Sequence, residues 1–282
     1  MWSVNRPHRS ALDAFSVSIS RVRNPDLRTR LSASSASIVN SANLYSQTAT
    51  AQTLHTFPEQ QIVGLVTGDE LIKNYTQRFA GKKGPARHIY NEIISLPAGD
   101  RCPYCDQRDV STLDHVLPKA HYPVLSVTPD NLVGSCSECN KKKDDTRPAL
   151  AVETFLHPYF ENISGQRWLM AEVIEIQPCA IVFFATPPLP PVWSIELADR
   201  LQRQFTLLEL AKLYSSQAGR EISDIRAGLS KHFDAGGEIA VRRELTHQWD
   251  SRLQNQLNSW KTALYEALKD SDWYCSGGFR SE

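Results

Sequence analysis

The chain has 282 residues, 41% of them hydrophobic, and its 31 basic side chains balance 31 acidic ones. A chain of this length can build an ordinary core, so small size does not explain its six cysteines as disulfides of a secreted miniprotein. The zero net charge excludes a globally basic nucleic-acid binder, and no apolar run approaches the roughly 18 residues of a membrane span. We therefore predict a cytoplasmic protein that does not contact a membrane.

Residues 1–58 hold six arginines against two acidic residues and are rich in serine. This composition faintly resembles an organelle transit peptide, which stays open as an alternative to the cytoplasmic prediction. Residues 31–58 contain no Asp, Glu, Lys or Arg. They are either a linker or a helix whose apolar side chains pack on a core or a partner, and the sequence does not decide between the two.

Residues 59–99 have a more helical pattern. It begins in QQIVGLVTGDELIKNYTQRFAG, breaks at Gly-Lys-Lys-Gly-Pro and resumes in ARHIYNEIISL, where three isoleucines fall on one helix face. Five basic residues lie on this approach to the first cysteine pair: Lys73, Arg78, Lys82, Lys83 and Arg87. We assign residues 1–99 to an N-terminal helical or linker region with a basic flank.

Residues 100–150 contain two CxxC pairs separated by thirty residues. Their members are Cys102, Cys105, Cys136 and Cys139. Four thiolates at this spacing are typical of a tetrahedral structural Zn²⁺ site, with disulfides as the alternative. The pattern predicts a zinc ion that ties the ends of this segment together.

Polar residues that a structural zinc site does not need lie between and just after the two pairs. Asp114 and His115 follow a possible strand, DVSTL; Asn131 comes later, and Asn140 immediately follows the last cysteine. Carboxylate and amide oxygens suit Mg²⁺ or Mn²⁺ and compete poorly with thiolates for zinc. The segment therefore predicts two different metal chemistries.

Residues 151–282 are expected to be mostly helical. RWLMAEVIEIQPCAIVFFAT predicts two strands separated at Gln177-Pro178, and the proline-rich TPPLPPVW predicts a stiff connector. Helical periodicity follows in SIELADRLQRQFTLLELAKLYSS and again from about residue 239 to 268.

The order C-x2-C, D-H-x2-P, N-L, C-x2-C-N-x2-K within residues 102–145 resembles the HNH endonucleases, in the variant whose last His is replaced by Asn. Two positions depart from the pattern, Ala120 and Asp144, and neither is a proposed base or ligand. The resemblance implies a ββα-metal module. The predicted fold class is α+β: a mostly helical protein with a central zinc-stabilised HNH module at 100–150 and a small strand pair after it.

The resemblance also implies roles for individual residues. His115 would act as the general base that activates water, and Asp114 with Asn140 would hold one catalytic Mg²⁺ or Mn²⁺. Asn131 would orient the imidazole by bonding its other nitrogen. Contacts to the substrate phosphate are expected from three basic residues: Lys119, Lys141 and Lys143.

The predicted function is hydrolysis of DNA phosphodiester bonds by a one-metal mechanism. The motif is most similar to standalone HNH nucleases of bacterial anti-phage systems such as Septu and retron-associated cassettes. That resemblance implies an ATPase partner, with residues 151–282 as its docking surface. Two alternatives stay open: a non-catalytic zinc-dependent nucleic-acid-binding module, and an RNA-directed nuclease or toxin.

Overall fold

Residues 3–188 and 190–280 are described in the computed structural model. They form a mostly helical protein with small two-stranded antiparallel sheets, which confirms the predicted α+β class. The chain divides into two compact units, Met1–Asn162 and Ile163–Glu282. The finer division at residues 99 and 150 stays a prediction.

Three helices open the first unit. They are α1 (Ala11–Ile19), α2 (Pro25–Ala33) and α3 (Ser35–Thr50). The side chains of Ser10 and Asn24 cap α1 and α2 by accepting hydrogen bonds from backbone N–H groups of the first turn. Helix α3 occupies most of the uncharged segment 31–58 and buries Ile38 and Tyr45, so the helix alternative is correct for residues 35–50.

A short hairpin precedes the next helix where the sequence pattern indicated helix alone. Strands β1 (Ile62–Val63) and β2 (Val66–Thr67) pair around Gly64, whose φ of +61° favours glycine. Thr67 and Glu70 then form a capping box, which makes Gly68 the first residue of α4 (Gly68–Asn74). A π-helical turn, Tyr75–Phe79, and α5 (Arg87–Ile94) follow.

The cysteine-containing segment forms a ββα arrangement. Strands β3 (Thr112–His115) and β4 (Leu132–Ser135) pair antiparallel, with His115 opposite Leu132, and α6 (Ser137–Lys143) follows directly. The end of α5 packs closely on β4, because a Cβ on Gly134 would lie 2.9 Å from the carbonyl oxygen of Ile94. Two 3₁₀ turns, Pro123–Leu125 and Pro129–Asn131, shape the loop between the strands.

The second unit contains the predicted strand pair, β5 (Leu169–Ile174) and β6 (Ala180–Ala185), which are paired antiparallel along their length. Helices α7 (Ile195–Leu207), α8 (Leu210–Asn255) and α9 (Trp260–Asp270) follow. Helix α8 is kinked at Gly236 and Gly237. No helix in the described residues has the length and apolar character to cross a membrane.

Candidate active site

The two cysteine pairs form two tight turns. In the first, the carbonyl oxygen of Cys102 accepts hydrogen bonds from the N–H groups of Cys105 (3.3 Å) and Asp106 (2.7 Å). In the second, Cys136 caps helix α6, and its Sγ accepts a hydrogen bond from the N–H of Cys139 at 3.3 Å. Each turn therefore directs two sulfurs to the same side.

The four thiols converge on one point. Their Sγ atoms all lie within 4.8 Å of one another, all four residues are buried, and none forms a disulfide. In a tetrahedral zinc site with Zn–S distances of about 2.3 Å, the sulfurs are roughly 3.8 Å apart. The Sγ separations in this cluster are close to that value. The donor set and its geometry fit a structural zinc ion.

Arg108 adds positive charge beside this cluster. Zinc with four thiolates carries a net charge of about −2, which a nearby cation offsets. Burial lowers the pKa of Arg108, but attraction to Cys105, Cys136, Cys139 and Glu138 outweighs it and raises the pKa overall. The guanidinium therefore stays charged where a zinc-thiolate centre requires compensation.

The ββα arrangement brings Asp114, His115 and Asn140 to a single cleft of about 490 Å³. Asp114 and His115 come from the end of β3, and Asn140 comes from α6, immediately after Cys139. The remaining lining residues come from the π-helical turn, β3, the following loop, helix α6 and the two residues after it: Tyr75, Thr76, Thr112, Leu113, Pro118, Lys119, Ser137, Lys141, Asp144 and Asp145.

The His115 imidazole is buried and held in one orientation. Its Nε2 lies 2.9 Å from the carbonyl oxygen of Ser126, and since a carbonyl can only accept, Nε2 carries the proton and Nδ1 has a free lone pair. Burial, reinforced by the charge of Lys119, lowers the pKa of His115 to about 3 against the opposing hydrogen bond to Ser126. The ring is therefore a neutral imidazole near pH 7, the form that can accept a proton, although so low a pKa makes it a weaker base than an imidazole of ordinary pKa.

Asp114 is buried and accepts hydrogen bonds on both carboxylate oxygens. Oδ2 accepts from the Tyr104 hydroxyl at 2.9 Å, and Oδ1 receives a longer contact of 3.3 Å from Lys143 Nζ. Burial raises the pKa of Asp114, while Lys143 and the Tyr104 hydrogen bond act in the opposite direction. The carboxylate thus has a hydrogen-bonded orientation before any ion is bound.

Asn131 does not make the contact predicted for it. Its side chain bonds the backbone of the loop: Oδ1 accepts from Leu117 N at 2.8 Å, and Nδ2 donates to the carbonyl oxygens of Leu117 (3.0 Å) and Leu125 (3.5 Å). The imidazole is bonded instead by Ser126, next to Leu125 in the same loop. Asn131 therefore holds the loop that carries the histidine's acceptor, and any catalytic role it has stays a prediction.

Lys143 also differs from its prediction as a phosphate contact. Its ammonium group is buried, donating to the carbonyl oxygen of His115 at 2.6 Å and contacting Asp114. Helix α6 turns this side chain toward β3, so it is directed into the protein. Lys141 is exposed and Lys119 is half-buried at the cleft, so these two can reach a phosphate.

Three residues at the site were not singled out from the sequence. The rings of Tyr75 and His115 meet at an interplanar angle of 71°, with centroids 4.5 Å apart. Ser126 bonds the imidazole, and Tyr104 bonds Asp114. The position of Tyr104 inside the first CxxC pair was a signal in the sequence that it lies near the site. Tyr75 and Ser126 had no such signal, because they reach the site only through the tertiary fold.

Comparison with known proteins agrees with this geometry. Residues 102–146 match the HNH endonuclease family. The chain is 30% identical to protein ea31 of Escherichia phage lambda in an alignment 234 residues long, and the match covers 78% of each chain. No solved structure matches it. The chain therefore belongs to the same protein family as ea31, and its zinc-type cysteine cluster and cleft lie in an HNH endonuclease domain.

Proposed function

We propose that the protein is a metal-dependent endonuclease that hydrolyses phosphodiester bonds in DNA with a single Mg²⁺ or Mn²⁺ ion. One observation carries the proposal: a neutral, fixed imidazole lies in the same cleft as a carboxylate and an amide. His115 presents its unprotonated Nδ1, and Asp114 and Asn140 line the cleft with it.

The residues present fit a hard divalent ion. Asp114 and Asn140 offer carboxylate and amide oxygens, the ligand types that Mg²⁺ and Mn²⁺ prefer. When bound, the ion would supply charge stabilisation at the phosphate and the leaving oxygen. This chemistry is distinct from that of the four thiolates, which would fill the coordination shell of a tetrahedral zinc and serve a structural role.

The protein's own residues would do the remaining work. His115 takes the proton of the attacking water on Nδ1, while Nε2–H remains bonded to Ser126 and keeps the ring oriented. Lys119 and Lys141, at the cleft, hold the non-bridging phosphate oxygens. Tyr75 packs against the imidazole at a centroid distance of 4.5 Å and would limit the access of solvent on that side.

The test is plasmid cleavage with Mg²⁺ or Mn²⁺. His115→Ala should lower the rate by about 10² to 10⁴, the usual contribution of a general base, and Asn140→Ala should also abolish most activity. His121→Ala is the matched control, because this histidine lies on the loop after β3 but is 40% exposed and outside the cleft lining. Full activity in folded His115→Ala protein would overturn the mechanism.

The nature of the substrate is tested by comparing cleavage of different nucleic acids. Plasmid DNA, single-stranded DNA and tRNA offered side by side distinguish a DNA endonuclease from an RNA-directed nuclease or toxin. A protein that binds nucleic acid, retains zinc and cleaves none of the three would be a non-catalytic binding module.

The wider role is a further part of the proposal. The motif's resemblance supports an anti-phage effector in the cytoplasm beside an ATPase that docks on residues 151–282. None of the four cluster cysteines forms a disulfide, which suits a reducing compartment. Because ea31 is encoded by a phage, the family is not confined to bacterial defence loci. Co-purification of an ATPase encoded by an adjacent gene would support the defence role, and its repeated failure would count against it.

A further inference from the structure

Tyr104 links the two metal chemistries physically. It lies between Cys102 and Cys105 in the first cysteine turn, so the zinc-binding backbone fixes its position. Its side chain is fully buried, and its hydroxyl donates a 2.9 Å hydrogen bond to Oδ2 of Asp114. The residue that belongs to the structural cluster therefore touches the carboxylate of the cleft.

The geometry around Tyr104 leaves its ring little freedom. The ring packs edge-on against Phe155, with centroids 6.0 Å apart, in the same buried region as Asp114. Because a fixed ring directs its hydroxyl along one line, the hydrogen bond defines the rotation of the Asp114 carboxylate as well as its position.

The two oxygens of Asp114 are thereby distinguished. Oδ2 has the short bond from Tyr104, whereas Oδ1 has only the 3.3 Å contact from Lys143. A divalent cation can take over the positive charge that Lys143 places on Oδ1, and Lys143 would keep its 2.6 Å bond to the carbonyl oxygen of His115. Displacing Tyr104 from Oδ2 would instead leave a buried hydroxyl without a partner. Oδ1 is thus the oxygen left for an ion.

We propose that Tyr104 is a positioning residue through which the cysteine cluster orients Asp114, so that its Oδ1 is available to the divalent ion. The inference rests on the proposed function, because it assumes that Asp114 binds that ion. A hydrogen bond from a neighbouring group to a ligating carboxylate commonly contributes 10- to 100-fold to metal affinity or activity, which gives the expected scale of about 10-fold or more.

Tyr104→Phe separates this role from simple packing, since it keeps the ring against Phe155 and removes only the hydroxyl. The matched control is Tyr274→Phe. Tyr274 is also fully buried, and within the described residues its hydroxyl has no hydrogen-bond partner. Both variants lose one buried phenol oxygen, but only Tyr104→Phe loses a bond to Asp114.

The experiment measures Mn²⁺ affinity by calorimetry on zinc-loaded protein, zinc content by elemental analysis, and plasmid cleavage against Mg²⁺ concentration. We expect one zinc per chain in both variants, with Mn²⁺ affinity reduced about 10-fold or more only in Tyr104→Phe. The Mg²⁺ concentration needed for half-maximal cleavage should rise more than the maximal rate falls.

Unchanged Mn²⁺ affinity in Tyr104→Phe would overturn the proposal, as would loss of its zinc, because the hydroxyl would then serve the cysteine turn itself. Absence of Mn²⁺ binding to the unaltered protein would overturn it too. If the unaltered protein binds Mn²⁺ but cleaves nothing, the proposed function fails, while the comparison of the two variants still decides the role of Tyr104.

Discussion

The buried pair of Lys143 and Asp114 gives the sharpest prediction on stability. Their side chains are 4% and 3% exposed, and Nζ and Oδ1 are 3.3 Å apart. At an effective dielectric constant of about 20, this separation corresponds to an attraction of about 5 kcal/mol before desolvation. Lys143→Met should destabilise the protein by about 3 to 5 kcal/mol, because it leaves a buried carboxylate without its cation.

The assay is urea denaturation with saturating zinc and no other divalent ion. Lys141→Met is the matched control: this exposed neighbour on α6 should change the free energy of unfolding by no more than about 0.5 kcal/mol. Adding Asp114→Asn to Lys143→Met should recover part of the loss, since it removes the uncompensated charge. If Lys143→Met proves as mild as Lys141→Met, the ammonium lies in solvent, and a role for it in phosphate contact regains support.

Three further predictions concern other contacts. Cys136→Ser should lower zinc content and melting temperature together. The free energy of unfolding should fall by roughly 3 to 4 kcal/mol, because the loop between the cysteine pairs is no longer closed. A variant that loses zinc but keeps its stability would contradict this. Asn131→Ala should cost about 1 to 3 kcal/mol in urea denaturation by leaving loop backbone unpaired, and should slow cleavage; a neutral effect would refute the bracing role. Hydrogen bonds from Arg30 and Thr67 lower the pKa of Glu70 from 4.5 to about 2. The stability that Glu70 contributes is therefore present above pH 4.5 and lost as the pH falls toward 2. In Glu70→Gln, the free energy of unfolding should change less with pH in this range.

Proximity in the sequence explains why several of the expected site residues share one cleft, while their roles stay predictions. Asp114 and His115 are adjacent, and Asn140 follows Cys139, so a metal that joins the two cysteine pairs also limits how far these side chains can separate. The structure does bring them to one cleft. The strand pair of the second unit was predictable for a similar reason, because its two strands are neighbours in the sequence. Two apolar segments separated by a short break are typical of a β-hairpin.

The structure departs from expectation where a contact depends on side-chain orientation or on a distant partner. Three consecutive lysines in α6 resemble a solvated face, yet a helix rotates by about 100° per residue, and the third one meets β3. Asn131 was expected to bond the imidazole because both belong to the motif, but the loop between them presents a closer backbone. Residue spacing does not encode either contact. The burial of Lys143 depends on how α6 lies against β3, and the partners of Asn131 depend on the path of the loop.

The site also extends beyond the motif that identifies it. Tyr75, from the π-helical turn, contacts His115, and the end of α5 packs on β4 at Gly134, where a side chain would not fit. His157 bonds both the Tyr45 hydroxyl (2.9 Å) and the carbonyl oxygen of Asp130 (3.1 Å), beside Asn131. The elements before and after the cysteine segment thus support the loop between β3 and β4 from both sides. Since Ser126 of this loop bonds the imidazole, contacts outside the cleft help to fix the orientation of His115.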